Sequence, residues 1–220
     1  MTPFTTASGH AAAMPEENID TDIIFPARFL LLTAREGLGK HAFHDRRYWP
    51  DGSEIEGYVL NREPFRDPPV IVAGANFGSG SSREQAVWAL HGLGVRAVIA
   101  PALGEIFHNN CLRNGIVPVI LPSETVSDLL TSAAAGEQFT VDLEGQTVTV
   151  GNAEPVTFTI APDASRCSAD GTRPISSSPA SPRTSTGSRT VSGPSNPGSI
   201  PRTASHERDR RSAGQLQEGL

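Results

Sequence analysis

The stretch that decides the fold is Pro69-Val70-Ile71-Val72-Ala73-Gly74-Ala75-Asn76-Phe77-Gly78-Ser79-Gly80-Ser81-Ser82-Arg83-Glu84-Gln85-Ala86-Val87-Trp88-Ala89-Leu90. Residues 69–74 form a short, β-branched apolar run bounded by proline and glycine, which predicts a buried strand. A glycine-serine loop follows. From Arg83 the residues are good helix formers, with Ala86, Val87 and Leu90 on one side, and Gly92 and Gly94 are expected to end the helix. Toward the C-terminus, 95–100 predicts a second strand, 104–113 a second helix stopped by Asn114-Gly115, and 116–121 a third strand. Strand-helix-strand-helix-strand order predicts an α/β domain. Further on, 139–143 and 146–150 alternate around Glu144-Gly145, which predicts a β-hairpin with a two-residue turn, and 156–160 predicts one more strand.

The composition divides the chain. Residues 1–162 carry 19 acidic and 10 basic side chains, whereas 163–220 carry 5 and 8; the whole has a formal net charge of -6. No Phe, Trp or Tyr follows Phe158, and Ser, Pro and Arg dominate the end of the chain. A segment of that kind cannot bury enough apolar area to offset its ordering entropy, so 163–220 is expected to be a disordered tail behind one soluble domain at 1–162. No window approaches the roughly 18 apolar residues that a membrane helix needs, and the N-terminus lacks the pattern of a signal peptide, so the expected location is cytoplasmic, with no membrane partner. The acidic balance argues against nucleic acid as a partner, because phosphate binding needs a concentrated basic face. Cys111 and Cys167 lie in no C-x-x-C pair, so no metal site is expected on this chain.

The loop between the strand and the helix, 76–84, carries the chemistry worth testing. Backbone amides and the positive end of the helix converge there, which suits an anion. Gly78 and Gly80 let the backbone approach a ligand, Ser81 and Ser82 are placed to cap the helix, and Arg83 offers a planar fork for a carboxylate. The same residues also suit a plain turn with a helix cap, and local chemistry leaves both readings open. A phosphate-binding P-loop is excluded, since it needs Gly-Lys-Ser/Thr and Lys40 is the sole lysine. The serine-hydrolase elbow G-x-S-x-G is not in register. Cys111 and His108, three apart on a helix among apolar neighbours, favour a buried structural cysteine over a thiol nucleophile. A second polar cluster, Asn18-Ile19-Asp20-Thr21-Asp22-Ile23-Ile24, is read as a strand placing Asp20 and Asp22 on one face. They are either turn-capping acids or a paired-carboxylate site.

Taken together, Asn18–Ile24 and the run Asn76–Leu90 resemble the small subunit of 3-isopropylmalate dehydratase, in the aconitase superfamily. The likeness continues through Arg96-Ala97-Val98-Ile99-Ala100-Pro101, Glu105-Ile106-Phe107-His108-Asn109-Asn110 and Asn114-Gly115-Ile116-Val117-Pro118-Val119, and covers about residues 4–162. It implies the swivelling β/β/α domain of that superfamily, which closes over an active site completed by a large subunit. That partner would hold a 4Fe-4S iron-sulfur cluster, this chain binding no cofactor itself. The implied reaction is hydro-lyase chemistry on a 2-hydroxy dicarboxylate: 2-isopropylmalate loses water to give 2-isopropylmaleate and regains it as 3-isopropylmalate, in leucine biosynthesis.

Carried over position by position, the resemblance makes Ser81 the base that takes a proton from the carbon beside a carboxylate. Arg83 becomes a carboxylate-binding group, with Ser82 and Gly80 contributing to substrate binding, and Asp22 becomes an acid lining the site. A substrate-selecting segment is expected near Arg28-Phe29-Leu30. Ser79 stands where many relatives have cysteine. Rival readings are the small subunit of a citramalate, homoaconitate or maleate-type hydratase, and an inert binding or assembly remnant.

After Ala164 the family's leucine-rich ending is missing. The chain has 17 arginines and one lysine, as a GC-rich gene would give, and the tail has the Arg-Ser-Pro-Ala-Gly composition of such a gene read out of frame. A two-base shift can back-translate into a family-like ending, so a frameshift near 164–167 is expected. The replaced segment would normally cover apolar surface, so this chain should melt below one with the restored ending.

Overall fold

The computed structural model describes residues 5–32 and 34–160. The expected tail at 163–220, with its inferred frameshift, lies outside the described residues.

Seven strands form one sheet in the order β4-β3-β2-β1-β5-β6-β7. The strands are β1 (Thr6–Met14), β2 (Val70–Ala73), β3 (Ala97–Ala100), β4 (Val117–Ile120), β5 (Gln138–Asp142), β6 (Thr147–Val150) and β7 (Val156–Thr157). β1 to β4 are mutually parallel, and β5, β6 and β7 continue the sheet antiparallel from β1. The expected α/β class is thus observed as a mixed sheet. Two one-turn helices, α1 (Thr21–Ile24) and α2 (His44–Arg47), precede β2, and the strand-helix-strand-helix-strand order is β2, α3 (Glu84–Leu93), β3, α4 (Glu105–Arg113), β4, followed by α5 (Ser123–Ala134).

β2 and β3 are buried at every position, and their side chains alternate between two cores. Ile71, Ala73, Val98 and Ala100 meet α3 and α4 together with Phe25, Phe43, Phe77 and Phe107 on one face. Val70, Val72, Ala97 and Ile99 meet Val126, Leu129 and Ala133 of α5 and Phe139, Val141 and Val148 of the antiparallel strands on the other. A parallel sheet covered on both faces requires such continuous apolar runs.

Four local expectations are corrected. As expected, the helix stops at Gly94, whose φ of 109° suits glycine, but it passes through Gly92. Gly92 is a close-contact position, because a Cβ on the facing Gly39 would come within 2.5 Å of its carbonyl carbon. The hairpin turn has four residues, since β5 and β6 pair from Asp142 with Thr147. The Leu143 N–H bonds Thr5 O instead, and Asp142 Oδ1 accepts from the N–H groups of Glu144 and Gly145 at 3.0 and 3.1 Å. The last strand is two residues long, because the Gln146 side chain takes the Ile160 N–H at 3.0 Å. Finally, Asp20 and Asp22 do not share a strand. Asp20 caps a one-turn helix, α1 (Thr21–Ile24), and Asp22 lies in its first turn.

Candidate active site

The glycine-serine loop leaves β2 at the carboxyl edge of the parallel strands, where open α/β sheets bind ligands. It is threaded between two segments leaving neighbouring strands. On the β1 side, Asn18 N–H donates to Ala75 O (2.9 Å), Gly78 N–H to Ile19 O (2.7 Å) and Thr21 N–H to Ser79 O (2.9 Å). On the β3 side, Asn76 N–H donates to Ala102 O and Gly104 N–H to Phe77 O, both at 2.9 Å. The buried Phe77 ring anchors the middle against Phe107, 5.6 Å away edge to face. Gly78, at φ 74°, lies flat on that same ring: a Cβ would come within 2.2 Å of Phe107 Cγ. Gly80, at φ 98°, sits against Asp20, where a Cβ would meet the Asp20 Cβ at 3.2 Å.

This threading brings the candidate residues of the two polar clusters together. Ser81 is half-buried, and its Oγ lies 2.7 Å from Oγ1 of the fully buried Thr21. The Arg83 guanidinium donates to the Asp22 carboxylate in an ion pair across 61 positions of sequence. Arg83 keeps 22% of its side-chain surface and Asp22 keeps 54%, so the pair opens to solvent. Gly80 and Ser82 are exposed beside it. Asp20 points elsewhere: its Oδ1 accepts from Ile23 N–H at 2.8 Å and fixes the start of α1. The expectation that Ser81 and Ser82 cap α3 is corrected, since Arg83 occupies the cap position and makes no side-chain cap bond. Both serine hydroxyls are therefore left for other partners, at the positive end of a ten-residue helix.

Thr21 and the pair Asn18–Asn76 were not singled out from the sequence. Both asparagines adopt left-handed backbone, at φ 59° and 65°, and Asn76 Nδ2 donates to Asn18 Oδ1 at 2.9 Å. The usable signal was the Asn-x-Asp-Thr-Asp run, in which Asn18 and Asp20 support the backbone and the adjacent Thr21 and Asp22 face the site.

In the segment Arg28-Phe29-Leu30, Arg28 and Phe29 belong to a 3-10 helix, Ala27–Phe29, and Leu30 is its C-cap. Arg28 pairs with Asp45, with Nη1 to Oδ2 at 2.9 Å, and its hydrogen bond holds the Asp45 carboxyl below the ordinary aspartate range. Phe29 stacks on His41 at 4.2 Å, and Leu31 is 89% exposed beside a hollow of about 340 Å³ that includes Leu32, Leu38 and His41. Burial, followed by the charges of Lys40, His44 and Arg28, pushes His41 down from its ordinary value. Cys111 lies fully buried in the helix-covered core, which excludes a nucleophilic thiol reachable by substrate. Among the described residues, no three His, Cys, Asp or Glu side chains converge as a metal site. No helix among them is long and apolar enough to cross a membrane.

The mixed sheet and the loop at its carboxyl edge define a class, and comparison with known proteins names it: the aconitase C-terminal domain, whose family model matches residues 1–124. Within that class, the 3-isopropylmalate dehydratase small subunit of Roseobacter denitrificans is 48% identical over 173 residues, 78% of this chain and 86% of that one. The small subunit of Cereibacter sphaeroides is 50% identical over 162 residues, 73% of this chain and 81% of that one. A solved structure of 3-isopropylmalate dehydratase from Methanocaldococcus jannaschii superposes with a TM-score of 0.53 at 29% identity, covering 70% of this chain and 81% of that one. The chain belongs to the 3-isopropylmalate dehydratase small-subunit family, the small subunits of a hydro-lyase.

Proposed function

We propose that this chain, as the small subunit of the leucine-biosynthetic hydro-lyase, supplies the base and a carboxylate clamp to an active site completed by a large subunit. The observation that carries the reading is the convergence of Ser81, Arg83 and Asp22 at the N-terminus of α3, from segments 61 positions apart. Ser81, as alkoxide, takes the proton from the carbon beside a substrate carboxylate; the C–H electron pair becomes the double bond of 2-isopropylmaleate as the C–O bond of the neighbouring carbon breaks and its hydroxyl leaves as hydroxide on the large-subunit side. In the rehydration that gives 3-isopropylmalate, Ser81 gives a proton to the other olefinic carbon, the one that carried the hydroxyl, while hydroxide adds to the carbon that was deprotonated.

A serine hydroxyl is ordinarily far too weak a base for this step, so its anion must be stabilised before substrate arrives. The end of α3 and the Arg83 cation supply positive potential where that charge forms. Arg83 has five N–H donors, so pairing with Asp22 orients the guanidinium and leaves donors for a substrate carboxylate. Gly80 and Ser82 present backbone and hydroxyl groups at the exposed side of the loop. The small-subunit relationship implies a large-subunit partner, and we assign the 4Fe-4S cluster and the chemistry at the departing hydroxyl to it.

Reconstitution tests the assignment. The purified chain is mixed without oxygen with an iron-sulfur large subunit and offered 2-isopropylmalate, citramalate, homoaconitate and maleate. Turnover of 2-isopropylmalate in preference to the others, absent when either subunit is omitted, is expected. Preference for another acid would overturn the substrate assignment.

A further inference from the structure

We propose that Thr21 is a positioning residue of the same site, holding Ser81 Oγ in place and donating a hydrogen bond to it when Ser81 carries the negative charge. The inference rests on the assignment of Ser81 as the base. Thr21 has no solvent exposure, and its hydroxyl reaches Ser81 Oγ at 2.7 Å. Its backbone is fixed on both sides: the N–H donates to Ser79 O at 2.9 Å, and the carbonyl accepts from Phe25 N–H at 2.9 Å. The Asp20 cap fixes the turn on which Thr21 rides, and a β-branched side chain has few χ1 choices there.

Between two neutral hydroxyls either oxygen can donate. Once Ser81 has lost its proton the choice disappears, because an alkoxide only accepts, so the Thr21 proton must point to it. A hydrogen bond to a charged oxygen is about twice as strong as one between neutral groups. The donor is already buried and oriented, so little reorganisation is needed when charge appears. Water does not reach Thr21 to compete for that proton. The interaction therefore favours the anionic form of Ser81 more than the neutral form, and it acts through Ser81 without touching substrate.

The experiment uses the assembled two-subunit enzyme with Thr21→Val, which keeps shape and removes the donor, and Thr21→Ser, which keeps the hydroxyl. Thr21→Val should lower kcat by about ten- to a hundredfold, the worth of a hydrogen bond to a charged group, with KM within about threefold. The limb of the kcat–pH profile on which the base loses its proton should move to higher pH. Thr21→Ser should recover most of the rate and return the limb. In a Ser81→Ala background, Thr21→Val should change the residual rate no further. Where Thr21→Val fails to assemble, Thr21→Ala, which also lacks the donor, takes its place in each comparison. An unmoved pH limb, a loss confined to KM, or a further loss in the Ser81→Ala background would overturn the proposal. Full activity in Ser81→Ala itself would instead remove the base assignment on which it rests.

Discussion

Gly78 shows how one residue can set the geometry of the loop. Its positive φ is costly for an L side chain, and the space a Cβ needs is filled by the Phe107 ring, itself locked in the core. Gly78→Ala should therefore destabilise the domain by at least about 2 kcal/mol, since strain and overpacking add. Thermal melting should show a drop of roughly 4–8 °C. A midpoint within about one degree of the parent would mean that the loop relaxes away from Phe107. Asp20 makes a separable contribution: Asp20→Ala removes the N-cap of α1 and should cost about 1 kcal/mol. Because α1 carries Thr21 and Asp22, that substitution should also lower turnover, whereas an effect on melting alone would show that α1 keeps its position without the cap.

At the scale of elements, the strands and helices whose side chains are consistent along their length were legible in the sequence. β2, α3, β3, α4 and β4 lie within a few residues of their expected bounds, because apolar runs and helix-forming runs alternate there without conflict. β1 was not foreseen. Thr6–Met14 holds four alanines and one glycine, poor strand formers, and it becomes the centre of the sheet because small residues pack where β2 and β5 flank it. α5 was also missed, although Val126, Leu129 and Ala133 fall at helical spacing on its buried face. Of the site, the loop 76–84 was readable from residue types. Its contact with α1 was not, because nothing in local pattern links Asp22 to Arg83 or Thr21 to Ser81 across about sixty residues.

Asn114 joins two of these elements. Its Oδ1 accepts from Trp88 Nε1 at 3.0 Å, and its Nδ2 donates to Glu84 Oε1 at 2.9 Å, so it ties the end of α4 to the first turns of α3. Asn114→Ala leaves a half-buried indole N–H without its acceptor and should cost about 1–2 kcal/mol in urea unfolding. Asn114→Asp, which keeps the Trp88 acceptor but sets a carboxylate against Glu84, should not rescue it. Equal midpoints for the parent and both variants would contradict this link.

For the whole molecule, the two cores on opposite faces of one sheet make stability depend on groups far from the loop. Burial, then the charges of Arg96 and Arg35, holds His91 below its ordinary pKa, and burial does the same to His41. A lowered folded-state pKa means that the unfolded chain binds the proton more tightly. The contribution of each histidine is complete above the unfolded value, near 6.5, and is lost as pH falls through the lowered folded value. Melting midpoints should decline between pH 7.5 and 5.5, and His91→Gln should flatten that decline. A variant with the parent's slope would remove His91 from the account.

The central claim is that this small subunit carries the base of the reaction on the loop joining β2 to α3. The most direct measurement is kcat for 2-isopropylmalate in the assembled enzyme with Ser81→Ala, alongside size-exclusion chromatography of the complex and melting of the subunit. With assembly and melting unchanged, kcat is expected to fall by about a thousandfold, within the range for loss of a positioned base. A complex that forms normally and turns over within a few-fold of the parent would contradict the claim and place the base elsewhere in the assembly.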